Sequence, residues 1–117
     1  MSYMTLEEKL IHWCQTDFGR RLLVLREKAG LSKAAAARAV GISQGYWWNI
    51  ERGNTDPSRR LRRVHQEMLK VLRNGEIPTR KLKHKYLFYY KRIRKYADAI
   101  GVSVVELMAP LFRLDAA

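Results

Sequence analysis

Two side-chain amides, Gln44 and Asn49, stand five residues apart in the stretch QGYWWN, where the apolar residues repeat at a helical period. A carboxamide presents a donor and an acceptor side by side, which matches the N6/N7 edge of adenine in a DNA major groove. Trp47 and Ile50 fall at i and i+3 and face inward, so Gln44, Gly45, Trp48 and Asn49 point the other way. Gly45 costs a helix about 1 kcal/mol relative to Ala, which makes more sense where a backbone must approach another surface. An outward Trp48 is hard to explain as solvated surface: it either stacks on sugar or a thymine methyl, or is covered by another part of the chain. No nucleophile–base pair, carboxylate dyad or phosphate loop is visible, so neither an enzyme nor a cofactor is expected. His12, His65 and His84 lie far apart, with no ligand spacing to join them to Cys14, and no metal site is expected.

The elements that must position these side chains can be read around them. Ser43 caps a helix from 44 to about 52. Before it, Ser32 caps a short Ala-rich helix, 33 to about 40, stopped by Gly41. The Ala34–Ala37 run has high helix propensity and little bulk, which lets a neighbouring helix approach closely. Two helices joined by a tight glycine turn form the helix-turn-helix unit, whose second helix enters the major groove. Upstream, Asp17 caps a helix from 18 to about 28, with Phe18, Leu22, Leu25 and Ala29 as its buried stripe and Arg20, Arg21, Arg26 and Lys28 as a solvated face. Residues 5–16 read as a further helix, capped by Thr5 and Glu8, with Leu6, Leu10, Trp13 and Cys14 on one face.

Charge is distributed unevenly. Residues 58–96 hold fourteen basic and two acidic residues, which accounts for the whole formal net charge of +12. Such a concentration implies a polyanion partner. Within it, Ser58 is placed to cap a helix to about Arg73. Leu61, Val64, Met68, Val71 and Leu72 form its apolar arc, with Arg59, Arg62, Arg63, Gln66, Lys70 and Arg73 on the far side. Residues 74–78, NGEIP, are a turn. A second helix from near Thr79 to Ile100 carries Leu82, Tyr86, Tyr89, Ile93, Tyr96, Ala97 and Ile100 in one stripe, and leaves Leu87 and Phe88 off it. Ser103 and Glu106 form a capping box for a helix from 104 to 108, expected to stop before Pro110. Leu111, Phe112 and Leu114 follow in a tail that folds back on the N-terminal helix or a second subunit.

The segments FGRRLLVLREKAGLSKAAAARAVGISQGYWWNIERGNTDPS and IRKYADAIGVSVVELMA, a little over half of the chain, resemble the Cro/repressor-type, or XRE-type, helix-turn-helix family. The matching pattern runs through Phe18-Gly19, Leu22, Leu25-Arg26, Gly30-Leu31-Ser32, Ala37, Val40-Gly41-Ile42-Ser43, Ile50-Glu51, Gly53 and Pro57. It resumes at Ala97, Ile100-Gly101-Val102-Ser103 and Glu106-Leu107. The resemblance implies an all-α, lambda-repressor-like fold, here with an extra N-terminal helix and an αα-hairpin inserted at 58–92. Residues 17–57 and 93–109 then form the core of a single domain, with 110–117 as a tail. It implies base reading by Gln44, Gly45, Trp48 and Asn49, and phosphate contacts from Lys33, Ser43, Arg52, Asn54 and Thr55. The hairpin adds Arg59, Arg63 and Lys70 as further phosphate candidates. Two departures stand out. Ala36 occupies a position where the family usually has Leu, and Gly45 and Trp48 are unusual on a reading face.

The expected function is a sequence-specific transcription regulator, a repressor, acting as a homodimer on double-stranded DNA. A toxin-neutralising antitoxin or other adaptor of this fold, an accessory factor contacting RNA polymerase, and a low-specificity DNA or RNA binder are the alternatives. Trp48, Leu87, Phe88 and the 111–114 tail are candidate protein contacts. No apolar run approaches a membrane span. The start of the chain has acids where a signal peptide needs a basic region, and the single cysteine suits a reducing, cytoplasmic, nucleoid-associated protein.

Overall fold

A computed structural model of the chain describes Thr5 and residues 17–116. The helix expected over 5–16, with its apolar face and capping box, lies outside the described residues apart from Thr5. Six α-helices follow: α1 (Phe18–Lys28), α2 (Lys33–Val40), α3 (Gln44–Glu51), α4 (Arg59–Arg73), α5 (Arg80–Ala99) and α6 (Val104–Ala116). There is no strand among the described residues, so the fold is all-α.

Local chemistry sets most helix starts. Asp17 accepts from the Gly19 and Arg20 amides at the head of α1. Ser32, Ser43 and Thr79 each accept from the amide three residues on, at 3.1, 3.0 and 3.1 Å. The turn between α2 and α3 needs a left-handed residue, and Gly41 supplies it at φ 87°. Ser58 departs from expectation. It precedes α4 in a helical conformation and its side chain makes no cap. Its hydroxyl instead donates to Asp56 Oδ1 at 2.6 Å, and its amide donates to the same oxygen at 2.9 Å. Asp56, two residues earlier, thus draws the Ser58 hydroxyl back toward the turn and away from the first amides of α4.

The core gathers Phe18, Leu22 and Leu25 from α1, Ala36 and Ala37 from α2, Trp47 and Ile50 from α3, and Leu61 from α4. Ile93, Tyr96, Ala97 and Ile100 enter from the end of α5, and Val104, Leu107, Met108 and Leu111 from α6. The small Ala36 is offset by large rings in the same cluster. Tyr96 stacks on Trp47 with centroids 6.0 Å apart and meets Phe18 edge-on at 6.0 Å. Gly19 lets α1 lie directly on the end of α3, because a Cβ there would collide with the Ile50 carbonyl oxygen. Ala29 is exposed, not buried as its spacing suggested, since the C-cap turns away from the core. Leu72 is also exposed: the core ends with the first turns of α4, where Leu61 and Val64 are buried.

Two helices occupy the segment after residue 57, with α4 packed on α5 and α5 also seated on α2. The stripe on α5 grades from half-buried Leu82, Tyr86 and Tyr89 to buried Ile93, Tyr96 and Ala97. α6 differs from expectation. It continues through Pro110 to Ala116 rather than stopping at Met108. A proline there deprives the Glu106 carbonyl of its helical donor, and Arg21 Nη2 donates to that oxygen at 2.8 Å. The helix therefore passes the proline with its carbonyl satisfied. Leu111 is consequently buried in a helix that packs on α4, and Phe112 stacks on His65 at 3.9 Å. The side chain of Leu114 lies outside the described residues.

Candidate nucleic-acid interface

α3 is eight residues long, too short to hold its own shape in water, so its orientation must come from tertiary contacts. Trp47 and Ile50 are fully buried beneath it. At its end the buried Glu51 carboxylate accepts from Arg26 Nε at 2.6 Å, Arg26 Nη2 at 3.1 Å and Trp47 Nε1 at 2.6 Å. Arg26 Nη1 donates to the Leu31 carbonyl at 2.8 Å. One guanidinium thus ties α1, the approach to α2 and the end of α3 together. Hydrogen bonding to Glu51 raises the Arg26 pKa above its ordinary value, against the opposing effect of burial. Arg26 is 7% exposed and does not belong to the solvated face the helix period assigned it. Its fork-shaped donors find both oxygens of the buried Glu51 carboxylate and the Leu31 carbonyl, and that outweighs desolvation.

The outward face of α3 holds the four residues singled out for base reading. Gln44 and Gly45 are exposed, and the space beyond Gly45 is open. Asn49 is half-buried, and its Oδ1 already accepts from Asn54 Nδ2 at 3.1 Å. Its own amide donors and the fixed pose that Asn54 imposes are what it offers. Trp48 is 41% exposed, with the Arg52 guanidinium over its ring at 4.2 Å. The hairpin does not shield it.

Lys33, Ser43, Arg52, Asn54 and Thr55 occupy the ends and turns around that face. Lys33 opens α2, and Ser43 Oγ accepts from the Tyr46 amide while keeping its own proton to donate. Arg52, Asn54 and Thr55 follow α3 directly. Arg59 and Arg63 are exposed on the first turns of α4, and with Arg62 and Gln66 line a shallow basic groove. Lys70 is exposed too but stands eleven residues beyond Arg59, about 16 Å along the helix at 1.5 Å per residue. It is not gathered with the others.

Sequence reasoning passed over Tyr46 and Arg60. Tyr46, on α3, is 40% exposed. It lines a cleft with Thr55, Arg59, Arg60, Tyr89 and Arg92, which come from the turn and from both arms of the hairpin. Their long-range meeting left no mark in periodicity, although the adjacent arginines at the start of α4 were visible as charge.

A short helix, a glycine turn and a second short helix with a rigidly held polar face define a helix-turn-helix module, the core of a DNA-binding regulator. Residues 17–73 match the model of a family described as a helix-turn-helix domain. Through that domain, which spans α1 to α4, the chain is similar to XRE-type helix-turn-helix DNA-binding proteins. No curated protein and no solved structure matches the chain. Among the described residues, no helix is long and apolar enough to cross a membrane.

Proposed function

We propose that the protein is a sequence-specific repressor that binds double-stranded DNA as a homodimer, with α3 in the major groove. The observation that carries this reading is the locked, outward α3: two amides and a tryptophan on a helix anchored by the Arg26–Glu51–Trp47 network. Gln44, Gly45, Trp48 and Asn49 read bases, while Lys33, Ser43, Arg52, Asn54 and Thr55 hold flanking phosphates. The hairpin at 58–92, between the 17–57 and 93–109 segments and joined to their core through Leu61, adds grip through Arg59, Arg63 and Lys70. Leu87 and Phe88, 50% and 59% exposed on α5, are among the exposed apolar side chains and offer a subunit or partner contact.

Selection of bound sequences from a random duplex library tests the reading, with a palindrome of half-sites about one helical turn apart as the expected product. On that site, Gln44→Ala and Asn49→Ala should each cost about 1–3 kcal/mol while sparing random DNA. Equal losses on both duplexes would leave a low-specificity binder, the alternative that the heavy charge of α4 and α5 favours.

A further inference from the structure

The cleft beside α3 has a composition that the helix-turn-helix module alone does not explain. Its walls carry three guanidinium groups, Arg59, Arg60 and Arg92, and two phenols, Tyr46 and Tyr89, around a volume of about 300 Å³. The cleft also contains one carboxylate, Asp56. That carboxylate is already engaged: it pairs with Arg62 and accepts from Ser58. No second acid lines the cleft to balance the three arginines, of which Arg60 lies over the Tyr89 ring at 6.0 Å and Arg92 over the Phe88 ring at 6.0 Å. Like charges converging on a concave surface raise the local potential and draw an anion. Planar guanidiniums and phenolic donors match the oxygens of a phosphate.

The position of the cleft selects the source of that phosphate. Tyr46 lies one residue from Gly45 and three from Asn49, on the same short helix. Thr55 continues the turn that begins at Asn54, whose amide holds Asn49. The cleft is thus the next surface met on passing sideways from the reading face. Arg92 and Tyr89 belong to α5, beyond the span of the family match. We propose that this cleft binds a backbone phosphodiester of the duplex where that strand leaves the reading face, so that α5 acts as a second wall clamping it. This rests on the DNA-binding reading above.

The test is the salt dependence of duplex binding by the full chain. Because both arginines serve one phosphate, the Arg60→Ala, Arg92→Ala double variant should make the log–log slope shallower by about 0.9, and each single variant by a part of that, on specific and random duplexes alike. Arg92→Lys, which keeps the charge, should restore most of the slope. Arg94→Ala, whose guanidinium faces Asp98 at 3.8 Å, should leave it unchanged. Placing a neutral methylphosphonate at successive linkages should reveal one position that weakens the parent protein and leaves the double variant unaffected. Unchanged slopes in both single variants, with duplex binding intact, would overturn the clamp and leave the DNA reading standing. Inorganic phosphate or AMP binding that depends on Arg60 and Arg92, with slopes unaltered, would overturn it in favour of a free phosphate ligand. Absence of duplex binding at low salt would overturn both readings together.

Discussion

Glu51 is 1% exposed and accepts three hydrogen bonds from charged or indole donors. Removing one partner of such a pair leaves the other charge buried, which costs about 3–5 kcal/mol, far more than a surface pair returns. Arg26→Ala should therefore lower stability by about 3–5 kcal/mol in urea unfolding, and a loss under about 1 kcal/mol would mean that water reaches Glu51. Replacing Arg26 and Glu51 together with apolar residues should cost much less, because no charge is stranded. Both residues stood in the family pattern, yet their partnership was not legible. The contact spans 25 positions, and helical spacing alone assigns Arg26 to the solvent face. By contrast, the caps at Asp17, Ser32, Ser43 and Ser103 were readable because each acts within three residues of itself.

At the scale of elements, α6 shows why a helix end is harder to read than a helix start. Pro110 is a sound local stop signal, and the helix passes it with the Glu106 carbonyl served by Arg21, 85 residues from Glu106. The hydrogen bond is exposed, so water competes for the Glu106 carbonyl and the contribution is modest. Arg21→Ala should cost about 0.5–1.5 kcal/mol. In a Pro110→Ala background, where residue 110 regains its amide, most of that cost should vanish. A double-mutant cycle by thermal unfolding measures the coupling, and additive losses would show that Arg21 acts elsewhere. The hairpin arms were legible because their stripes are long and periodic. The failure of Ser58 as a side-chain cap was not, since Asp56 takes the Ser58 hydroxyl as its own donor.

At the scale of the whole molecule, charge and core divide the chain differently. The basic excess lies in 58–96, but that segment also supplies core at both its ends, with Leu61, Val64, Ile93 and Tyr96 buried. Burial pushes the Tyr96 hydroxyl up to about 12, helped by nearby Tyr46 and opposed by Arg92. Tyrosines in the unfolded chain titrate near pH ~10. Between those values the folded state holds a proton that the unfolded state has lost, so stability falls as pH rises. The contribution is intact below about pH 10 and lost as pH passes about 12. Tyr96→Phe should flatten the decline in melting temperature over that window. A residual slope is expected from Tyr86, which burial also raises. Equal slopes in the two proteins would show that the phenol is solvated.

The continuity of α5 has a mechanical consequence. Twenty residues at 1.5 Å each make a rod about 30 Å long, with no break between its outer, basic half and the inner half that stacks on Trp47. A load applied near Leu87 or Phe88 cannot be absorbed by a joint. Such a load is shared between α4, against which α5 packs, and the Trp47 side of α3, which Tyr96 touches. The outer arm is therefore a handle, and turning it would tilt the surface that α3 presents.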